Sequence, residues 1–204
     1  MSERVEQQNM EEKHLIEAER IAEKVKGFTH GCRVLMLIQR HSDGGHTNNS
    51  KLRSYISRGH EEWVKSLAKL LQEKEQYPHL PLRIYQTLNE RDIEKGIREF
   101  KHASLEADYY DDEQRQWFYL DVRNRIVSSL MKPSSAKTSY FLFDVDLEEV
   151  PRLLELGLKE LTEIVLTYKT KNGWHIITKP FNPNLVSLPE NVELKKDSMM
   201  LLAF

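Results

Sequence analysis

The chain has 204 residues, 39% of them hydrophobic and 30% charged, and a formal net charge of −2. That length fits one domain with room for a helical appendage, and the apolar content supplies a core, which excludes a disordered chain. The near-neutral balance excludes nucleic-acid binding through bulk charge, so any such binding must use a local basic face. The single cysteine, Cys32, excludes an internal disulfide and a cysteine-based zinc site. No apolar run reaches membrane-spanning length, and the start "MSERVEQQNMEEKH" is too charged for a signal peptide. A soluble protein of a reducing, cytoplasmic compartment is expected, with no membrane partner.

Residues 2–26 read as one helix, because Met10, His14, Ala18, Ile21 and Val25 recur at helical steps and Gly27 follows as a stop. This divides the chain into a helix over 1–27 and a domain over 28–204. "RVLMLIQRH" (33–41) reads as a buried strand, "SDGGHTNNSK" as a loop and "LRSYIS" as the strand's hairpin partner. "GHEEWVKSLAKLLQEKEQY" is an amphipathic helix with Trp63, Leu67, Leu70 and Leu71 inward, ended by Pro78 and Pro81. "LRIYQTLNERD" reads as a strand running into the helix "IEKGIREFKHASLEAD", with Asp92 or Asn89 as its cap. "EQRQWFYLDVRNRIVSSLM" reads as one further helix, with Trp117, Leu120, Val122 or Asn124, Val127 and Leu130 roughly at helical spacing.

The strand "YFLFDVD" comes next, then the helix "EEVPRLLELGLKEL" with Pro151 in its first turn. "EIVLTYKT" and "WHIITKPF" form a hairpin across the Asn-Gly of "KNG", and "SMMLLAF" is the last strand. Mixed helices and strands with an antiparallel hairpin predict an α+β fold.

Three places carry candidate chemistry. Asp144 and Asp146 share one face of a strand, where two carboxylates repel unless a cation lies between them, and hard divalent cations take oxygen ligands. The competing reading ends the strand at Phe143, with Asp144 in a turn and Asp146 capping the next helix. His175 follows a tight turn, near Lys169, Lys171 and Lys179, and such a cluster suits phosphate oxygens. The competing reading is an ordinary hairpin histidine. Asp197 precedes the closing strand and is unremarkable by itself.

In chain order, "FLFDVD", "NGWH" and "LKKDSMML" resemble the three signatures of the archaeo-eukaryotic primase and primase-polymerase superfamily. "RIYQTLNER" is similar to the strand ending in Asn-x-Arg found early in many such domains. The chain also resembles small bacteriophage primase-like proteins through "TKNGWHIITKPF". The resemblance spans roughly residues 33–204. It implies a split core of two halves, the second RNA-recognition-like and carrying the acidic strand. It implies a nucleotidyltransferase that adds nucleotides from NTP or dNTP to a nucleic-acid 3′-hydroxyl, on a single-stranded or primed template. Asp144, Asp146 and Asp197 would hold Mg²⁺ or Mn²⁺. His175, helped by Lys171, would bind the triphosphate, and Arg91 would contact phosphate or template. No zinc knuckle or helicase accompanies these motifs, which leaves room for a replication partner protein in a bacterial or phage-infected cell. The alternatives are a non-catalytic nucleotide- or nucleic-acid-binding phage protein on the same fold, and a metal-dependent nuclease.

Arg40, Lys51, Arg53 and Arg58 flank the glycine-rich loop and are candidates to track a nucleic-acid backbone, against a plain solvated basic surface. His41, His46 and His60, with Asp43, match no zinc spacing and are expected to face solvent. Trp63, Trp117 and Trp174 are expected in the core, with Trp174 also placed to stack on a base.

Overall fold

The structure is a computed structural model that describes residues 20, 31–40 and 50–203. The expected helix over 1–27, Arg20 apart, lies outside the described residues, as do His41, Asp43 and His46.

Strand β1 (Arg33–Gln39) pairs antiparallel with β2 (Ser50–Ser57), as the hairpin reading predicts. Helix α1 (His60–Glu75) follows, then β3 (Leu82–Thr87) on the other side of β1. The last strand, β10 (Met199–Ala203), adds beside β3, so the first sheet runs β10-β3-β1-β2. Alternation along β1 gives the sheet two apolar faces. Leu35 and Leu37 pack with Trp63, Leu67 and Leu70 of α1, whereas Val34 and Met36 pack with Val127 and Leu130.

Those two residues belong to α4 (Val122–Met131), which lies against α2 (Ile93–Ala107) with α3 (Asp112–Leu120) between them in sequence. Asp92 caps α2, its carboxylate accepting from the Lys95 N–H at 3.1 Å. Gly96 permits the close approach of α2 to α4, since a Cβ there would meet Leu130 Cδ2 at 2.4 Å. The single helix expected over 113–131 is two helices, broken at Asp121 (φ −105°, ψ 22°). At about 100° per residue, Phe118 and Val127 would face opposite sides of one straight helix. Both are buried, and the break lets each half turn its own apolar face inward. Trp117 and Leu120 are exposed as a result.

A two-residue ladder, β4 (Glu90–Arg91) with β5 (Ala136–Lys137), links this half to the second sheet. That sheet is built from β6 (Phe141–Val145), β7 (Ile164–Lys169), β8 (Trp174–Thr178) and β9 (Val192–Lys195), with α5 (Arg152–Leu161) between β6 and β7 in sequence. Its order is β7-β8-β6-β9, antiparallel throughout. One face, with Phe143, Val145, Ile176 and Val192, packs on Leu154 and Leu158 of α5. The other turns Leu142, Tyr168 and Ile177 into the main core with β1, β3, β10 and α1. The fold is therefore α+β, with antiparallel sheets and five α-helices among the described residues. No described helix is long and apolar enough to cross a membrane.

A buried polar junction ties the sheets together. Asn89 is fully buried, and its side chain does not cap a helix. Its Oδ1 accepts from the Ser139 and Tyr140 N–H groups, both at 2.9 Å. Its Nδ2 donates to the carbonyls of Tyr140 (3.1 Å) and Lys196 (3.2 Å). One side chain thus holds the chain where it enters β6 and where it leaves β9. The Leu88 N–H donates to the Ser198 carbonyl at 2.9 Å, and Arg33 donates to the carbonyls of Thr87 and Leu88. Removing a partner from such a network leaves buried backbone groups unsatisfied. Asn89→Ala is expected to lower unfolding free energy by about 2–4 kcal/mol in urea titrations. A loss below about 1 kcal/mol would show that the junction is dispensable.

Candidate active site

Asp144 lies on the inner face of β6, directly across from His175 on β8 and Glu193 on β9. His175 in turn lies across from Tyr168 on β7. Residues facing each other across an antiparallel sheet share a face, so Tyr168, His175, Asp144 and Glu193 form one polar row. The next row of the same face is the apolar Leu166, Ile177 and Leu142, with Lys195 at its β9 end. The apolar row enters the core and the polar row reaches a cavity of about 460 Å³.

Both sheets line this cavity. The second contributes Asp144, His175 and Lys195, with Asp146 just past the end of β6 and Thr170 and Asn172 from the β7–β8 loop. The first contributes Ile38, Arg83 and Tyr85, with Arg40 just past β1, and Met199 and Leu201 from β10. These belong to the face opposite the one that packs on α1, as the pairings of Ile38 with Arg83 and of Tyr85 with Leu201 require. The Arg40 guanidinium donates to the Tyr85 hydroxyl at 3.3 Å. Gly173 fits the loop against β6, since a Cβ there would meet the Val145 carbonyl oxygen at 2.0 Å. The glycine of "KNG" thus serves a close backbone contact at the edge of the site.

Lys195 Nζ stands 2.7 Å from Asp144 Oδ2 and 3.1 Å from Glu193 Oε2, and His175 Nε2 stands 3.4 Å from Asp144 Oδ1. The adjoining His175 and Lys195 hold the Asp144 carboxyl well below the usual carboxylate range, against the opposing pull of burial. Burial alone would lower the Lys195 pKa, but the hydrogen bonds and charges of Asp144 and Glu193 outweigh it and raise it. Burial raises the pKa of Tyr168, so its phenol keeps its proton, 2.7 Å from His175 Nδ1. If the phenol donates to Nδ1, the ring proton sits on Nε2. If Nδ1 donates to the phenol, Nε2 of the neutral ring is an acceptor. With the phenol as donor, His175 presents an Nε2–H suited to an anionic oxygen.

The structure therefore brings Asp144, Asp146 and His175 to one cavity. Asp144 sits within the strand rather than in a turn. Asp146 caps no helix, because α5 begins at Arg152 with Pro151 at its N-cap position. Lys171 is exposed at the tip of the loop that lends Thr170 and Asn172 to the cavity. Asp197 and Arg91 are placed elsewhere. Arg91 is 1% exposed and forms a two-pronged pair with Asp197, both bonds at 2.8 Å, and neither residue lines the cavity. Among the described residues no group of three His, Cys, Asp or Glu side chains is close enough to hold a metal ion.

Of the four loop-flanking cations, Arg40 alone reaches the cavity; Lys51 bonds Asn124, Arg53 pairs with Glu73 and Arg58 with Glu62. Trp174 points to the opposite face from His175, its Nε1–H donating to the Glu148 carbonyl. Sequence reasoning missed Lys195, Tyr168, Arg83 and Tyr85. The two-residue alternation of Glu193 and Lys195, and of Ile38 and Arg40, is the signal that marks a shared face. Comparison with protein-family models, with curated proteins and with solved structures finds no match to this chain.

A buried guanidinium that loses its carboxylate is strongly destabilising. Asp197→Ala is expected to cost about 3–5 kcal/mol in chemical denaturation. An unchanged midpoint would remove the structural role of this pair.

Proposed function

We propose that the protein is a metal-dependent nucleotidyltransferase of the primase-polymerase kind. It joins nucleotides from NTP or dNTP to the 3′-hydroxyl of a single-stranded or primed nucleic acid. One observation carries the reading: Asp144 and Asp146 from one motif, and His175 from another, line the same cavity, with Arg40 and Arg83 across it. The second sheet supports it too. Its order β7-β8-β6-β9, with α5 between β6 and β7, is compatible with an RNA-recognition-like half in which a short 3₁₀ turn (Pro183–Leu185) stands where a second helix is expected.

The donor set fits a divalent ion. Mg²⁺ in polymerase-type sites is bound by one or two carboxylates together with substrate phosphates and water, not by an all-protein cage. Asp144 and Asp146 at one cavity supply the one or two carboxylates of that pattern. A bound ion supplies Lewis-acid stabilisation of the attacking and leaving oxygens. The chain's own groups do the remainder. Asp144 within β6 and the exposed Asp146 just past its end gather negative charge at the cavity end of the strand. His175, fixed by Tyr168, aims Nε2–H at a phosphate oxygen. Arg40 and Arg83 supply positive charge for the polyphosphate on the facing wall, and Lys171 does so at the loop tip.

Asp197 and Arg91 act in this reading as the strut behind β10, not as metal ligand and phosphate contact. A non-catalytic nucleotide-binding protein is the second reading. It is favoured by the engagement of both Asp144 oxygens by Lys195 and His175. Template-directed incorporation with Mg²⁺ or Mn²⁺ separates the two. The natural chain is expected to incorporate nucleotides, and Asp144→Ala and Asp146→Ala to lose about 100-fold or more. Equal incorporation by all three would sink the assignment, and nucleotide release without incorporation would make the protein a nuclease.

A further inference from the structure

We infer that Lys195 is an internal counter-ion for the acidic site, which a divalent cation must displace before it can be bound. The inference rests on the proposed function and deepens it by assigning the regulation of metal loading. The Lys195 ammonium lies between two carboxylates, 2.7 Å from Asp144 and 3.1 Å from Glu193. The contact to Asp144 has the short N⁺–H···O⁻ distance of a charge-assisted hydrogen bond, and the one to Glu193 is longer. Asp144 sits between Glu193 and His175 in the polar row, with Lys195 diagonal to it. A cation drawn to Asp144 Oδ2 therefore meets a position that already carries one positive charge.

The side chain is part of the strand by design of its register, not a passing surface contact. Lys195 pairs with Leu142, two residues before Asp144, and from there its half-buried side chain lines the cavity and reaches the carboxylate. A lysine is suited to this place. Its ammonium is a compact point charge on a flexible stem, so it can leave one anion for another without moving the backbone. An arginine in the same place would clamp the carboxylate with two fixed bonds.

Displacement has a consequence for substrate order. An ammonium that leaves Asp144 keeps only the exposed Glu193 and has room for a second anionic partner at the cavity wall. A polyphosphate arriving between the two sheets supplies one. Metal and nucleoside triphosphate then load together, and the metal alone binds weakly because it competes with a tethered cation. The same charge keeps Asp144 and Glu193 from repelling each other in the ligand-free protein.

The test is Mn²⁺ binding by the full chain without nucleotide, read by electron paramagnetic resonance as loss of the free-ion signal. Lys195→Met is expected to bind Mn²⁺ about ten-fold more tightly than the natural chain, because the competing charge is gone. Lys195→Arg is expected to bind no more tightly than the natural chain, and its circular dichroism and melting curve report on folding. Adding Asp144→Asn to Lys195→Met is expected to abolish the gain. Equal or weaker Mn²⁺ binding by a folded Lys195→Met would overturn the counter-ion role while leaving the metal-dependent reading intact. Absence of Mn²⁺ binding in every variant, with and without a non-hydrolysable nucleoside triphosphate, would overturn both.

Discussion

The hydrogen bonds of Asn89 and the ion pair of Arg91 with Asp197 sit where the chain passes from one sheet to the other. Three separate passages meet there: the turn after β3, the entry to β6 and the return from β9 to β10. Each passage exposes backbone groups that no ladder satisfies, and burial makes them costly unless they are bonded. Asn89 satisfies the entry and the return together, because an amide offers both an acceptor and donors. Arg91 then fixes the return a second time through Asp197, its own backbone paired with Cys32 on both its N–H and carbonyl. The inner face of the second sheet consequently meets the first sheet at one angle. The polar end of β6 opens into the cavity between them.

The chemistry of that cavity follows from how charge is distributed over its two walls. The second sheet carries carboxylates already compensated by Lys195 and contacted by His175, and the first carries Arg40 and Arg83. Such a surface holds no large net charge, in keeping with the near-neutral chain, yet its charges are separated across a gap. A ligand matched to it bears an anionic end for the arginines and brings a cation for the aspartates. A metal–polyphosphate complex has that form. The His175–Tyr168 contact holds the imidazole between a buried phenol that keeps its proton and the Asp144 carboxylate, and with the phenol as donor the ring offers an Nε2–H.

Much of this arrangement was legible in single strands. Alternation placed Asp144 and Asp146 on one face, and the hairpin reading brought His175 to the neighbouring strand. What single strands do not carry is which strand lies beside which. Lys195 reads as one more charge in "ELKKD" until β9 is known to pair with β6. Asp197 lies after β9, where the chain has left the second sheet for the first, and so its partner is Arg91 rather than Asp144. Asn89 and Arg91 stand in a polar stretch that reads as a helix start or a ligand contact, whereas both are buried and join distant segments. The one-helix reading of 113–131 failed for a local reason, since a break at Asp121 was needed to turn both Phe118 and Val127 inward.

In the proposed function, metal and nucleotide meet in the cavity between the sheets. A crystal structure with Mn²⁺ and a non-hydrolysable nucleoside triphosphate, with anomalous diffraction from the manganese, tests it most directly. The account predicts an anomalous peak against Asp144 and Asp146, with phosphate oxygens beside His175 and Arg40. Manganese or nucleotide bound away from this cavity, with the Lys195–Asp144 pair intact, would contradict it.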